Sequence, residues 1–366
     1  MFGSVLIFII VLSVLVLVHE LGHFFAARRA GVLVEEFGFG IPPRVFGKKI
    51  GETIYSINLL PFGGFVRLHG ENSEDEVKEP KRAFINQDKK TRSKIILAGV
   101  FMNFVLALLC FSLTYSLTGI PRESENVKIV EVNKGSPAES SGLTSGDIIR
   151  EINGKKVASN NELIEAIDLK RGSEVVLKVE RNGSISDISA FPRENPPEGE
   201  GALGIQISTT ETYFPPIYQR PFVGVYYGFK ESLFWSGIII TGFIELFRNL
   251  FAGIVPKDVA GPVGIFALTS QAAQFGILTL INFVGILSVN LAILNVIPFP
   301  ALDGGRFLFV FLESIIGKKI VPRVESIIHT IGMVILILLI LAITAHDIQK
   351  LISGGGISGY IDSVLK

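Results

Sequence analysis

Four long apolar runs limit what this chain can fold into. They lie at residues 1–27, 95–117, 275–297 and 327–345. Each run is long enough to cross a hydrocarbon core of about 30 Å, which takes about 20 helical residues. The sequence therefore predicts an α-helical polytopic membrane protein with four transmembrane helices, in direct contact with membrane lipid.

The composition excludes several other classes of protein. Hydrophobic residues make up 48% of the chain and charged residues 19%, which excludes a disordered polypeptide. The 34 basic and 34 acidic side chains cancel, so nothing in the net charge favours nucleic acid and we expect no nucleic-acid partner. The single cysteine, Cys110, excludes an intrachain disulfide framework and a zinc cluster built from thiolates.

The distribution of Lys and Arg predicts how the chain is oriented. Residues 28–94 contain 13 basic side chains, and the short connection at 303–326 carries Arg306, Lys318, Lys319 and Arg323. Because short cytoplasmic loops are enriched in Lys and Arg, both segments are expected in the cytoplasm. Both termini and the long segment between the second and third runs are then extracytoplasmic.

These patterns divide the chain into nine segments. They are a first transmembrane helix (1–28), a cytoplasmic or re-entrant β-hairpin region (29–92), a second transmembrane helix (93–118), an extracytoplasmic α+β domain (119–212), membrane-surface amphipathic helices (213–272), a third transmembrane helix (273–298), an active-site segment with a cytoplasmic loop (299–327), a fourth transmembrane helix (328–346) and a C-terminal tail (347–366). The hairpin region is predicted from alternating apolar and polar residues around Gly and Pro.

One stretch is apolar but too short to span. Leu233–Ile244 has about twelve residues between charged flanks, which suits a helix lying at the interface. Trp235 favours the same location, and packing against the extracytoplasmic domain is its alternative role. We therefore expect an amphipathic gate along the outer membrane face. If this stretch crossed the membrane, Asp303 would emerge on the side opposite to the His pair described next.

The sequence HELGH at 19–23 lies inside the first apolar run. Residues four apart share one helical face, so His19 and His23 can bind one metal ion, and Glu20 can take a proton from a metal-bound water. In a soluble helix this pattern is often only a polar face. Within a membrane helix each ionisable residue costs about 2.5–3.5 kcal/mol, and a bound cation would offset that cost.

A catalytic zinc site usually has three protein ligands, so the pattern requires a third. The candidates are Asp303, several glutamates and three histidines, namely His69, His329 and His346. Asp303 is favoured because NVIPFPALDGG at 295–305 interrupts the helix with two prolines, and the two glycines permit unusual backbone. Irregular backbone at membrane depth is tolerated mainly where it lines a cavity or is buried. Polar packing is the favoured role for His329, whereas His69 and His346 are expected to be solvated or interfacial.

These two motifs together resemble the site-2 protease family of intramembrane metalloproteases, whose pattern is HExxH followed by NxxPxPxLDG. Further matches are FGFG at 37–40, PFGGFVRLHGE at 61–71, AGVFMN at 98–103 and GPVGI at 261–265. The bacterial branch called regulator of sigma-E protease is the most similar, and this resemblance implies a location in the bacterial cytoplasmic (inner) membrane. Val100 departs from the AGP form that is commoner in this branch.

The resemblance implies an intramembrane zinc endopeptidase, with Zn2+ on His19, His23 and Asp303 and with Glu20 as the general base. The expected partners are single-pass transmembrane proteins, such as anti-sigma factors after a first external cut, or remnant signal peptides.

The same resemblance implies where substrate binds. Asn295 would hold the substrate backbone or the developing oxyanion, and helix–helix hydrogen bonding is its alternative role. The segment 53–69 would be a re-entrant β element whose edge accepts an extended substrate. The other expected substrate-binding residues are Gly63, Gly64 and Asn103.

The extracytoplasmic domain resembles a PDZ domain, most clearly at 135–154, GSPAESSGLTSGDIIREING. The resemblance implies an α+β fold with tight turns at three glycines and three inward-facing isoleucines; these are Gly142, Gly146, Gly154, Ile148, Ile149 and Ile152. ALGI at 202–205 resembles a carboxylate-binding loop, and an ordinary closing strand is the alternative. A peptide or protein terminus is therefore a candidate partner.

Two functional classes follow from these observations. The first is the intramembrane protease, and the second is a catalytically idle, membrane-anchored PDZ module. The intact HExxH and LDG favour the protease, because an idle relative would be expected to lose a ligand or the glutamate. A transporter with broken helices is disfavoured, because the sequence shows no internal repeat.

Overall fold

The structure is a computed structural model that describes residues 2–71, 77–197, 199–252, 260–317 and 322–353. Lys318, Lys319 and the tail beyond residue 353 lie outside the described residues. The chain forms two compact units, one of residues 1–117 with 218–366 and the other of residues 118–217.

The helices and strands follow one another along the chain as follows. They are α1 (Phe2–Arg29), β1 (Val34–Ile50), β2 (Thr53–Leu68), α2 (Lys89–Thr118), β3 (Ile120–Val132), α3 (Pro137–Ser140), β4 (Ile148–Ile152), β5 (Lys155–Lys156), α4 (Asn160–Asp168), β6 (Val175–Arg181), β7 (Ser184–Ala190), β8 (Ile205–Tyr213), α5 (Arg220–Phe251), α6 (Pro262–Gln274), α7 (Ile277–Val296), α8 (Asp303–Ile316) and α9 (Pro322–Ser353).

The four predicted apolar runs are helices in the structure. Within the described part of the chain, four helices are long and apolar enough to cross a membrane, namely α1, α2, α7 and the part of α9 from Val324 to Ser353. Large apolar side chains on α9, such as Leu338 and Leu341, are more than half exposed. An apolar surface of this extent is unusual for a soluble monomer and is suited to lipid.

The hairpin region consists of two long, bent strands that pair with each other twice. Residues 36–39 of β1 are in register with 64–67 of β2 on one side and with 54–57 on the other. The tip is formed by residues 44–50 of β1 paired with 53–58 of β2. Among the described residues, the segment 64–68 therefore has a strand on one side only, and its other side is a free edge.

Aromatic packing holds this sheet against the first helix. The ring of Phe24 on α1 lies 5.3 Å from that of Phe37 on β1 and 6.1 Å from that of Tyr55 on β2. All three residues belong to a cluster that also buries Leu68 and Ile95. The free edge of the hairpin is thereby fixed beside the HELGH segment.

Residues 118–217 form a separate α+β unit. Its strands are ordered β7-β6-β4-β3-β8, with β5 paired to β4. The core contains Ile149 and Ile152, as the sequence predicts, whereas Ile148 is only half-buried. The three glycines predicted for tight turns all have positive φ values, as their left-handed conformation requires; they are Gly142 (φ 79°), Gly146 (φ 97°) and Gly154 (φ 77°).

The structure corrects the prediction for residues 213–272. Instead of a short surface helix, α5 is continuous over 32 residues, because the charged flanks are helical as well. Gly224 and Gly228 of α5 allow close approach to α2, since a Cβ at Gly228 would lie 2.7 Å from the backbone nitrogen of Ser112. Trp235 joins a cluster with Phe111 of α2. Helix α5 therefore packs against α2 within the helical unit, and its expected role as a gate at the outer membrane face stays a prediction.

Helix α6 likewise packs within the helical unit. The ring of Phe266 lies 5.5 Å from that of Phe8 on α1, and the backbone N–H of Gly264 donates to Asp347 on α9 (3.0 Å). A carboxylate contributed by α9 thus caps the start of α6, whose own N-cap residue is a glycine.

The chain enters and leaves this region at the same end of the helical unit. Ser116, which binds the Arg220 carbonyl at the start of α5, lies about 20 Å beyond Asn103 along α2. Asp347, beside the start of α6, lies about 27 Å beyond His329 along α9. Asn103 and His329 both contact the site described below, so the two connections share the end remote from it. The four-span topology expected from the sequence stays a prediction.

A buried carboxylate anchors the sheet of the α+β unit. Asp147 is fully buried and accepts hydrogen bonds from the Thr144 backbone (2.9 Å) and from two nitrogens of Arg181 (2.6 and 2.7 Å). Burial by itself raises the pKa of Asp147, but the hydrogen bonds from Arg181 and Thr144 lower it by more, so the pKa lies below its ordinary value.

Replacing Asp147 by Asn should lower the free energy of unfolding of this unit by about 1–3 kcal/mol. Because the folded-state pKa is depressed, the wild-type contribution is present above about pH 4 and is lost as the pH falls further. Hydrogen exchange of β4 and β6 in the full chain measures the effect. Glu151→Gln, which removes a surface pair with Lys178, is the control, with an expected change below about 1 kcal/mol. Equal protection in both variants would contradict the assignment.

Candidate metal centre

Three of the predicted metal ligands converge at one point. His19 and His23 lie one turn apart on α1, and their Nε2 atoms are 3.1 Å apart. Asp303, the first residue of α8, places Oδ2 at 3.0 Å from Nε2 of His19 and 3.2 Å from Nε2 of His23. Sequence positions almost three hundred residues apart therefore meet among apolar helices.

The far sides of both imidazoles are hydrogen-bonded to protein groups. Nδ1 of His23 lies 2.8 Å from the carbonyl of Ile95, so it carries the proton and donates. Nδ1 of His19 lies 3.2 Å from Nδ2 of Asn103, an amide whose nitrogen and oxygen exchange places by a rotation of 180°. If the amide oxygen accepts from Nδ1–H of His19, both rings present an unprotonated Nε2 to Asp303. That orientation also gives the buried Asn103 oxygen a partner.

The residues present fit a divalent cation such as zinc. Two unprotonated nitrogens and a carboxylate oxygen are all acceptors, and they repel one another unless a cation lies between them. Zinc bonds of about 2.0–2.1 Å in tetrahedral geometry would place ligand atoms about 3.3 Å apart, close to the observed separations. Oδ2 of Asp303 is buried without a hydrogen-bond donor, which also fits a metal ligand.

Glycines allow α1 and α2 to approach closely beneath the histidines. A Cβ at Gly99 would lie 2.7 Å from Cε1 of both His19 and His23. A Cβ at Gly22, in the HELGH segment itself, would lie 2.8 Å from the Cα of Gly99. Both distances are shorter than any tolerated carbon contact, so side chains are excluded at these positions. The sequence showed Gly99 only as part of AGVFMN and did not indicate this role.

Glu20 lies between the histidines and the free edge of the hairpin. The Val66 backbone hydrogen-bonds the Glu20 side chain, and a Cβ at Gly64 would contact its Cγ at 3.7 Å. Glu20 also lines a cavity of about 160 Å³ together with His23 and Asp303. The predicted general base is therefore beside the ligands and beside space for a small molecule.

The loop before Asp303 is tightly wound. Ala301 has φ +80°, a left-handed conformation that costs a non-glycine residue about 1–2 kcal/mol. Gly304 and Gly305 do not have positive φ, so the unusual backbone predicted for them lies at Ala301 instead. Glycine is required at these positions for a steric reason, because a Cβ at Gly304 would lie 2.6 Å from the carbonyl carbon of Ile297.

Ion pairs hold α8 in position on both of its sides. Arg92 of α2 and Glu313 of α8 form a buried pair at 2.6 Å, and Arg306 pairs with Glu71, which follows the hairpin. Glu71 also accepts from the Leu68 backbone (3.2 Å). The helix that begins with Asp303 is thus tied to α2 and to the edge strand; neither pair was predicted from the sequence.

The remaining candidates occupy different surroundings. The substrate contact predicted for Asn103 is corrected, because its side chain is fully buried behind His19. Asn295 is half-buried in the last turn of α7, and Gly63 (φ 82°) precedes Gly64 in the edge strand. The substrate-binding roles of Asn295 and Gly63 stay predictions.

The other three histidines contribute no ligand atom to the cluster. His69 is buried, not solvated, because it binds Glu35 (2.8 Å) and the Glu79 backbone (3.1 Å). His329 packs on Phe309 and binds the Ala301 backbone, which agrees with the predicted polar packing. His346 is half-buried near the other end of α9.

Comparison with known proteins adds an independent line of evidence. Residues 7–339 match the peptidase family M50. The chain is 31% identical over 425 residues to the zinc metalloprotease RasP of Geobacillus kaustophilus, covering 95% of this chain and 98% of that protein. It is also 31% identical over 427 residues to the regulator of sigma-W protease RasP of Bacillus subtilis, covering 95% and 99%.

A solved structure also aligns with part of the chain. The PDZ domain of an SdrC-like protein from Listeria innocua is 26% identical, and the alignment covers 24% of this chain and 99% of that domain with a TM-score of 0.21. A TM-score of this size does not establish a shared fold.

Gly99→Ala should weaken metal binding at least tenfold, because the new methyl group would displace both imidazoles. Zinc content after dialysis against a chelator measures the loss. Gly237→Ala on α5 is the matched control, since a Cβ there meets no atom within 4 Å. Wild-type zinc retention in Gly99→Ala would show that the rings are not confined as described.

Proposed function

This chain belongs to peptidase family M50 and is a zinc metalloprotease, and from that premise we propose that it cleaves transmembrane segments of single-pass membrane proteins. One observation carries the proposal: the HELGH histidines and Asp303 converge among helices that are apolar enough to span a membrane. A peptidase site built at that depth acts on peptide bonds that lie within the membrane.

We propose that His19, His23 and Asp303 are the zinc ligands. The ion, when bound, supplies a positive charge that polarises the scissile carbonyl and makes a coordinated water easier to deprotonate. Asn103 and Ile95 orient the two imidazoles so that each keeps a free Nε2. The ion pairs of α8 hold the carboxylate opposite them.

Glu20 is the proposed proton carrier. It accepts a proton from the attacking water while the water oxygen bonds to the carbonyl carbon of the substrate. When the peptide C–N bond breaks, the same carboxyl group gives its proton to the leaving nitrogen. Asn295 is proposed to donate from its amide to the substrate backbone or to the developing oxyanion.

The free edge of the hairpin is the proposed substrate-binding element. Successive N–H groups of a strand alternate in direction, so those of Gly64, Val66 and Leu68 point to the same side. The Val66 amide faces Glu20, so that side is the one next to the site. A substrate segment that has unwound from its helix could pair with this edge and present its carbonyl beside Glu20.

The α+β unit is proposed to be an extracytoplasmic PDZ domain. It would bind an exposed peptide terminus or exclude substrates with bulky external domains. Anti-sigma factors and remnant signal peptides are the proposed substrate classes; the Bacillus subtilis relative is named regulator of sigma-W protease. The idle PDZ module is disfavoured, since His19, His23 and Asp303 converge and Glu20 lies beside them.

Glu20→Gln should retain zinc but lower kcat for a model transmembrane substrate by at least about 10²-fold, because the ligands remain and the proton acceptor does not. His23→Ala should lose both zinc and activity. Zinc content and single-turnover cleavage of the purified full-length protein measure the two effects. Near wild-type cleavage by Glu20→Gln would exclude its proposed role.

Gly64→Pro should raise KM at least about tenfold relative to Gly64→Ala. Both variants add the same Cβ near the Gly38 carbonyl, but only proline removes the outward N–H. Steady-state cleavage, with zinc content as the check on integrity, gives the comparison. Equal KM values for the two variants would mean that substrate does not pair with this edge.

A further inference from the structure

We propose that His329 of α9 is the positioning residue for Asp303. It contributes no ligand atom and no proton to the proposed chemistry, yet it contacts the loop that delivers the carboxylate. The inference rests on the proposed ligation of zinc by Asp303, and it extends that site to a fourth helix.

The first observation is a hydrogen bond to the loop backbone. The N–H of Ala301 donates to Nδ1 of His329 at 2.9 Å. A ring that accepts at Nδ1 is neutral and carries its proton on Nε2. The ring is fixed from one side by Phe309 of α8, at a centroid distance of 5.5 Å. His329 therefore holds the backbone two residues before Asp303 from a rigid helix.

The second observation is that this backbone needs an external restraint. Ala301 adopts a left-handed conformation (φ +80°) that its Cβ disfavours, and its methyl side chain offers no hydrogen bond of its own. The neighbouring N–H groups are satisfied inside the loop, since Phe299 donates to Ile297 and Leu302 donates to Phe299. The Ala301 N–H instead depends on His329, so the bond offsets the strain at the residue where the chain turns toward Asp303.

The third observation is the close fit of α9 against the same loop. Gly332 lies on the same face of α9 as His329, and a Cβ there would be 2.6 Å from the Pro300 carbonyl oxygen. Without a side chain at 332, the helix can approach closely enough for the 2.9 Å bond. His329 and Gly332 together form a clasp around Pro300 and Ala301, which we call the α9 clasp.

The α9 clasp requires a hydrogen-bond acceptor at the position of Nδ1 of His329. Asparagine meets it, because its side-chain oxygen is attached at Cγ, as Nδ1 is. Glutamine does not, because its amide reaches the position of Nε2. This pair separates the acceptor role from polarity and from side-chain packing.

The test measures zinc affinity of the detergent-solubilised full-length protein, by competition with a chromophoric chelator at fixed pH. His329→Gln should bind zinc at least about tenfold more weakly than wild type, equal to about 1.4 kcal/mol. His329→Asn should stay within about threefold of wild type. His346→Gln, the same substitution on the same helix away from the loop, is the matched control and should leave the affinity unchanged.

A double variant tests the role of backbone strain. Glycine adopts the left-handed conformation without the Cβ penalty, so Ala301→Gly should restore part of the lost affinity in a His329→Gln background. The visible spectrum of the Co2+-substituted protein should show an altered ligand geometry in His329→Gln and a wild-type geometry in His329→Asn. Melting temperatures of the metal-free proteins should be similar in the Asn and Gln variants.

The outcomes distinguish this inference from the proposed function. Equal zinc affinities and Co2+ spectra in His329→Asn and His329→Gln would overturn the positioning role, even if both were weaker than wild type. If His329→Gln does not fold, the same comparison is made between Gly332→Ala and wild type, and an unchanged affinity there overturns the clasp. Asp303→Ala is measured in parallel: full zinc affinity in that variant would overturn the proposed ligation itself.

Discussion

Two imidazole nitrogens and one carboxylate oxygen meet within 3.2 Å of one another, and the rest of the helical unit is arranged around that contact. Three unprotonated acceptors at these separations repel one another, and a cation between them removes that repulsion. The same cation would offset the cost of placing ionisable side chains in an apolar helix. The architecture of this zinc metalloprotease follows from keeping His19, His23 and Asp303 together.

The two histidines and Asp303 are positioned by different parts of the chain. The histidines come from one turn of α1 and are backed by α2, which contributes Asn103, the Ile95 carbonyl and the open space at Gly99. Asp303 arrives on a loop wound tightly enough to require close backbone contacts. Helices that pack through glycines can bring backbone within a few ångströms of the site, which leaves room for the ligands.

The hairpin connects this centre to its proposed substrate. Its aromatic contacts with α1 place the free edge beside Glu20, and the pair of Arg306 with Glu71 ties that edge to α8. A shift of the hairpin would therefore displace α8, the helix that bears Asp303. In the proposed mechanism, the element that binds an unwound substrate and the helix that bears Asp303 are parts of one rigid arrangement.

The sequence predicted the features that depend on local pattern. Hydrophobic length predicted four helices, and the four-residue spacing of His19 and His23 predicted a shared face. It did not predict features that depend on which residues the tertiary fold packs against one another. The burial of Asn103, the steric need at Gly99 and the left-handed Ala301 arise only from tertiary packing. The length of α5 was underestimated because the charged residues on either side of its apolar centre were interpreted as helix ends. They lie within the helix, where Tyr115 of α2 is a partner for Glu231.

Zinc K-edge X-ray absorption of the full-length protein tests the proposed metal centre most directly. The proposed metal centre should give a first shell of nitrogen and oxygen at about 2.0–2.1 Å, with scattering from two imidazoles. The Asp303→Ala variant should lose zinc or one oxygen ligand. A sulfur ligand, three imidazoles, or a spectrum unchanged by Asp303→Ala would contradict the metal centre described here.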